Sequence, residues 1–76
     1  MHPIEFHRKA RGWTQAELAG QVGVTPGAVL AWEKGAEPRP SHLRKLAEVL
    51  GLDPGQLLLE IDDWRKAHAG KKEGKD

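Results

Sequence analysis

Apolar residues recur at helical spacing in two short, neighbouring segments of the chain. They are Leu18, Ala19 and Val22 in the first segment, and Ala28, Val29 and Trp32 in the second. Gly23 separates the two segments, and glycine readily adopts the left-handed backbone conformation that ends a helix. The pattern therefore predicts two short helices joined by a tight turn.

Polar residues mark where both helices begin. Thr14 can cap the first helix, and Glu17 stands three residues later, at the capping-box position. Thr25 can cap the second helix, and Pro26 occupies its first turn, where a missing N–H is tolerated. Two helices with this turn between them have the layout of a helix-turn-helix, a motif that places its second helix in the major groove of DNA.

Helix start and stop signals of the same kind occur along the rest of the chain. They predict helix 1 at 3–11, helix 2 at 15–22, helix 3 at 26–34, helix 4 at 41–50 and helix 5 at 54–68. No segment alternates apolar and polar residues for long enough to predict a strand. We therefore expect one all-α domain over 1–69, with an extended C-terminal helix, and a charged, disordered tail over 70–76.

Composition narrows the possible classes of protein. The 76 residues support one small core, and the absence of cysteine excludes disulfides and cysteine-ligated metal. The four histidines lack metal-ligand spacing, and the acidic cluster of helix 5 does not share one helical face. We expect neither an enzyme nor a bound cofactor or metal. No segment resembles a signal peptide or reaches membrane-spanning length, so the expected location is the cytoplasm.

The charge balance gives only weak support for nucleic-acid binding. Twelve Lys and Arg residues against 11 Asp and Glu residues leave a net charge of +1. A surface that binds DNA must then come from local clustering of cations. The candidates for a basic rim around helix 3 are Arg8, Lys9, Arg11, Lys34, Arg39, Arg44 and Lys45. The alternative is an ordinary solvated surface.

Several short motifs occur in a characteristic order. They are TQAELA at 14–19, VGVT at 22–25, WEKG at 32–35 and LRKLAEVLGLDPGQLL at 43–58, preceded by Arg8 and Gly12. Together they resemble the Cro/C1-repressor type helix-turn-helix family, also called the XRE family, over about 4–58. The resemblance implies a five-helix, lambda-repressor-like fold with the helix-turn-helix at helices 2 and 3. It also implies binding to double-stranded DNA, often as a homodimer on a palindromic operator.

The resemblance implies roles for individual residues. Gln15 matches a glutamine that, in family members, binds a DNA phosphate at the start of helix 2. Free N–H groups at this helix end also favour an anion. Arg8 and Glu33 match a partly buried pair that braces helices 1 and 3 and does not read bases. The remaining positions that match contacts to the DNA backbone are Thr14, Lys34, Arg39, Ser41 and His42.

The departures from the family pattern lie on helix 3. Relatives read bases with polar side chains at the positions of Pro26, Gly27 and Ala31, next to the capping Thr25. None of these three residues has a hydrogen-bonding side chain, so bidentate readout of guanine or adenine is unavailable to them. We expect binding to depend on phosphate contacts, DNA shape and water.

Helix 5 carries an apolar stripe of its own, formed by Leu57, Ile61, Trp64 and His68. If Leu57 alone completes the domain core, Leu58, Ile61 and Trp64 remain exposed, and exposed apolar patches mark partner surfaces. We favour homodimerisation through this helix over packing within the chain. The rest of the predicted core is Trp13, Leu18, Val22, Val24, Val29, Trp32, Leu43, Leu46, Leu50 and Leu52.

Two hypotheses of function remain. The first is a sequence-specific transcriptional regulator, acting as a repressor, that inserts helix 3 into the major groove. The alternative is a protein-interaction module or antitoxin-like protein, which keeps this fold but binds a protein partner through helix 3 or helix 5.

Overall fold

The computed structural model describes the backbone of residues 1–74 and the side chains of residues 1–68. Five α-helices follow one another along the chain. They are α1 (Pro3–Ala10), α2 (Gln15–Val22), α3 (Pro26–Glu33), α4 (Pro40–Leu50) and α5 (Pro54–Gly74). No strand occurs within residues 1–74. The predicted all-α, five-helix fold is confirmed.

The helix bounds differ from the predictions mainly in α5. The first four helices begin and end within one residue of the predicted positions, and α2 matches fully. In contrast, α5 continues to Gly74, so 70–74 are helical backbone where a disordered tail was expected. Lys and Glu favour helices, and a single glycine such as Gly70 does not by itself end one. The last two residues of that predicted tail lie outside the described residues.

Local hydrogen bonds set the geometry of the α2–α3 unit. The Thr14 hydroxyl accepts from the Glu17 N–H at 3.1 Å, and the Thr14 N–H donates to the Glu17 carboxylate at 2.8 Å. Gly23 ends α2 with φ at 92°, a left-handed conformation that favours glycine. The Thr25 hydroxyl then accepts from the Ala28 N–H at 3.2 Å and starts α3. The predicted turn between the two helices is therefore present.

Side chains also cap the starts of α1 and α5. His2 caps α1, because its Nδ1 accepts from the Ile4 N–H at 3.0 Å. Asp53 caps α5, because its carboxylate accepts from the Gln56 N–H at 3.2 Å. The Gln56 side-chain amide donates to the Glu60 carboxylate, one helical turn further along α5, at 3.2 Å.

The hydrophobic core lies where all five helices meet. Its buried members are Ile4, Leu18, Ala19, Val22, Val29, Trp32, Leu46, Ala47, Leu50, Leu57 and Ile61. Four predicted core residues, Trp13, Val24, Leu43 and Leu52, are only partly buried and pack at its edge. Sequence reasoning missed Ile4 and Ala47, and it assigned Ile61 elsewhere.

Helix α5 packs against α1 and α4 within the chain. Ile61 is only 2% exposed, so its assignment to a dimer interface is wrong. Trp64, half-buried, meets the His2 ring edge-on at 4.7 Å between centroids and stacks on His68 at 3.9 Å. The reason is geometric: residues four and seven positions after Leu57 share its helical face, and the core extends far enough to cover them. Leu58, at 41% exposure, remains at the surface.

Candidate nucleic-acid interface

Helix α3 has one buried and one exposed face. Val29 and Trp32 anchor the buried face in the core. Positions three and four residues apart form the exposed face, which consists of Pro26, Gly27, Leu30, Ala31 and, just after the helix, Lys34. Leu30 is 41% exposed, which sequence reasoning did not single out. Its spacing of four from Pro26 and from Lys34 would have placed it there.

A buried ion pair braces α3 against α1. The Arg8 Nε donates to Glu33 Oε2 at 2.7 Å, and a second guanidinium nitrogen donates to Oε1 at 3.2 Å. The third donates to the Trp13 carbonyl at 2.8 Å. The hydrogen bonds to Glu33 raise the pKa of the Arg8 guanidinium above its usual range. The side chains of the pair are only 9% and 5% exposed, so the pair forms part of the scaffold.

Gln15 joins α2 to this ion pair. Its Nε2 donates to Glu33 Oε1 at 2.9 Å, so the first residue of α2 is tied to the last residue of α3. Since a primary amide has two N–H groups and an oxygen, one N–H and the oxygen remain for a ligand. The arrangement fixes the direction of the Gln15 amide at the N-terminus of α2.

The other polar residues predicted to bind DNA lie at four helix ends. Thr14 and Thr25 are exposed N-caps of α2 and α3, and Lys34 is exposed at the end of α3. Arg39 and Ser41 are exposed at the start of α4. His42 is half-buried, and its ring centroid lies 5.6 Å from that of the buried Trp32. Packing against Trp32 therefore limits how far the His42 ring can extend from the protein surface.

The predicted basic rim is only partly present. Arg8 is buried, and Arg11 donates to the Leu50 carbonyl at 2.6 Å, where it caps the C-terminus of α4. Lys9 pairs with Glu5 at 2.9 Å. The interpretation of Arg8 as a member of a rim around α3 is therefore wrong, because its guanidinium is buried within the fold, whereas Arg11 stays exposed. Among described residues, Lys34, Arg39 and Arg44 form no ion pair.

Other kinds of site find little support in the described part of the chain. Within it, no group of three histidine or carboxylate side chains is arranged to hold a metal ion. No helix of that part combines the length and apolarity needed to cross a membrane. An open groove of about 250 Å³ lies between α4 and α5 and is lined by Pro40, Leu43 and Leu58, among others. It is separate from the exposed face of α3.

Comparison with known proteins agrees with this geometry. Residues 4–57 match the helix-turn-helix family. A protein of Methanothermobacter thermautotrophicus strain Delta H, described as an uncharacterized HTH-type transcriptional regulator, is 38% identical over 61 residues. That alignment covers 79% of this chain and 88% of the relative. No solved structure matches the chain. With most of its length matched, from α1 into the start of α5, the chain belongs to the Cro/C1-type helix-turn-helix family.

Proposed function

We propose that the protein is a DNA-binding transcriptional regulator that inserts α3 into the major groove of duplex DNA. The observation that carries this proposal is the exposed face of α3, from Pro26 to Lys34, on a rigidly braced helix-turn-helix. Its family membership and its similarity to a protein described as a transcriptional regulator support the same function.

The proposed contacts to the DNA backbone surround α3. Thr14 and Gln15 lie at the N-terminus of α2, where free N–H groups and the helix dipole favour a phosphate. Lys34 lies at the end of α3, and Arg39, Ser41 and His42 lie at the start of α4. Such contacts fix the register of a protein on the duplex and carry little sequence information themselves.

We propose further that the protein acts as a repressor and binds as a homodimer. Two-fold symmetry would place the two α3 helices in major grooves about 34 Å apart. Of the residues first considered for this interface, Leu58 is the exposed one, and it lines the groove between α4 and α5.

A second candidate function is the binding of a protein partner through α3. One observation favours it: apart from Lys34, the exposed face of α3 is apolar, with Leu30 41% exposed. A chain with a net charge of only +1 also has little bulk attraction for DNA.

Selection from a randomised duplex pool, followed by affinity measurements against salt, separates the two functions. A palindromic consensus with an affinity that falls steeply with salt supports a dimeric, sequence-specific regulator. Weak binding without sequence preference supports the protein-interaction function instead.

A further inference from the structure

The outward face of α3 is almost free of hydrogen-bonding side chains. Pro26, Gly27, Leu30 and Ala31 are exposed and have none. The hydrogen-bonding side chains lie at the two ends of this face. Thr25 precedes the helix, where its hydroxyl oxygen accepts from the Ala28 N–H at 3.2 Å, and Lys34 follows the helix. The largest apolar group on this face is the Leu30 side chain, which is 41% exposed.

We propose that this face recognises the C5-methyl groups of pyrimidines in the major groove. The inference rests on the proposed function and specifies its ligand: DNA with thymine, or 5-methylcytosine, opposite α3. Leu30 would make the main methyl contact, and Pro26 and Ala31 would flank it.

The chemistry of the groove explains this preference. Guanine, adenine and unmodified cytosine present polar edges in the major groove, whereas thymine also presents a methyl group. An apolar helix face laid on polar edges removes water from them without replacing its hydrogen bonds, which is unfavourable. The same face laid on methyl groups buries apolar surface on both sides, which is favourable. The contact therefore selects bases by their methyl groups.

This mode of readout has a distinctive signature. Thymine and 5-methylcytosine carry the methyl at the same ring position but differ in the neighbouring group, an O4 acceptor against an N4 amino donor. The part of the face from Pro26 to Ala31 has no exposed hydrogen-bonding side chain, so it distinguishes these two groups poorly. Uracil keeps the hydrogen-bonding groups of thymine and lacks only the methyl. Methyl recognition therefore predicts that uracil is disfavoured and 5-methylcytosine is tolerated.

The test starts from a duplex obtained by selection and replaces single thymines under α3. Each deoxyuridine should weaken binding about fourfold, the effect of losing one buried methyl group. Replacing the same T·A pair by 5-methylcytosine·G should change affinity less than about twofold, while unmodified C·G should resemble deoxyuridine. Deoxyuridine at thymines outside the footprint should have no effect and serves as the DNA control.

Two protein variants assign the contact to α3. Leu30→Ala should abolish the discrimination against deoxyuridine at one position of the site. Leu59→Ala, which removes another exposed leucine on α5, should retain it. Equal affinity for thymine and deoxyuridine at every position would overturn the inference while leaving DNA binding intact. A 5-methylcytosine site as weak as the cytosine site would also overturn it. Absence of binding to any duplex would instead overturn the proposed function.

Discussion

Arg8 and Glu33 form a two-bond ion pair whose side chains are only 9% and 5% exposed, with Nε and Oε2 2.7 Å apart. Because Gln15 also donates to this carboxylate, at 2.9 Å, three helices meet at one acidic side chain. The helix-turn-helix is thus held to α1 by polar contacts as well as by the apolar core.

Removing either charge should destabilise the fold strongly. Arg8→Ala or Glu33→Ala leaves an unpaired buried charge, and we expect each to lower the free energy of unfolding by about 3–5 kcal/mol. Urea denaturation measures this as a lower midpoint. The double variant Arg8→Met/Glu33→Met should lose less than either single variant, since no lone charge remains.

The exposed pair of Lys9 and Glu5 provides the matched control. Its lysine side chain is 53% exposed, and Lys9→Ala should cost less than about 1 kcal/mol. An Arg8→Ala protein that unfolds at the same urea concentration as Lys9→Ala would contradict a structural role for the buried pair.

Two glycines should respond in opposite directions to replacement by alanine. Gly35 has φ at +118°, and a β-carbon there would lie 3.4 Å from the Trp64 ring. We expect Gly35→Ala to destabilise the fold by about 1–3 kcal/mol, because alanine rarely adopts this backbone conformation. Gly20 lies within α2 with open space around it, so Gly20→Ala should stabilise by about 0.5–1 kcal/mol. Thermal unfolding compares both variants with the parent, and a stabilised Gly35→Ala would disprove the backbone argument.

The stability of the fold should fall in mild acid because of His2. Burial lowers the pKa of the His2 imidazole from 6.5 to about 4, and its Nδ1 must be unprotonated to accept from Ile4. The contribution of His2 is therefore complete above pH 6.5 and is lost progressively as the pH falls towards 4. The loss amounts to about 3 kcal/mol, which urea titrations at several pH values can measure.

His2→Asn is the control for this pH dependence. Asparagine can cap a helix but does not titrate, so stability should vary less between pH 4 and 6.5. If the variant and the parent lose the same stability over that range, other groups are responsible.

Local signals made most of the fold predictable, and long-range packing explains what was missed. Thr14 with Glu17, and Thr25 with Pro26, fix helix starts through contacts within a few residues, so sequence alone reveals them. The burial of Ile61, in contrast, depends on how α1 and α4 pack against α5, which no local pattern reveals. Likewise, Arg11 satisfies the end of α4, which no spacing in the sequence indicates.

The proposed contacts to DNA can be separated by their response to salt. Arg39→Ala should weaken binding to all duplexes and reduce the salt slope by about 1, because one phosphate contact is lost. Gln15→Ala should weaken binding with an unchanged slope, since the amide is uncharged. Lys66→Ala, an exposed cation on α5, serves as the control and should bind like the parent. Parental affinity in both test variants, with unchanged melting temperatures, would disprove the proposed backbone contacts.

The two faces of α5 should give different phenotypes. Ile61 is 2% exposed within one chain, so Ile61→Ala should lower the free energy of unfolding by about 2–5 kcal/mol. Leu58 is 41% exposed, so Leu58→Glu should leave the fold intact and, under the proposed dimer, shift the protein to monomer in sedimentation equilibrium. Trp64→Ala is a poorer test, because that ring packs on His2 and His68 within the chain. A parent protein that sediments as a monomer at high concentration would overturn dimerisation through Leu58 and leave the role of Ile61 in the core unaffected.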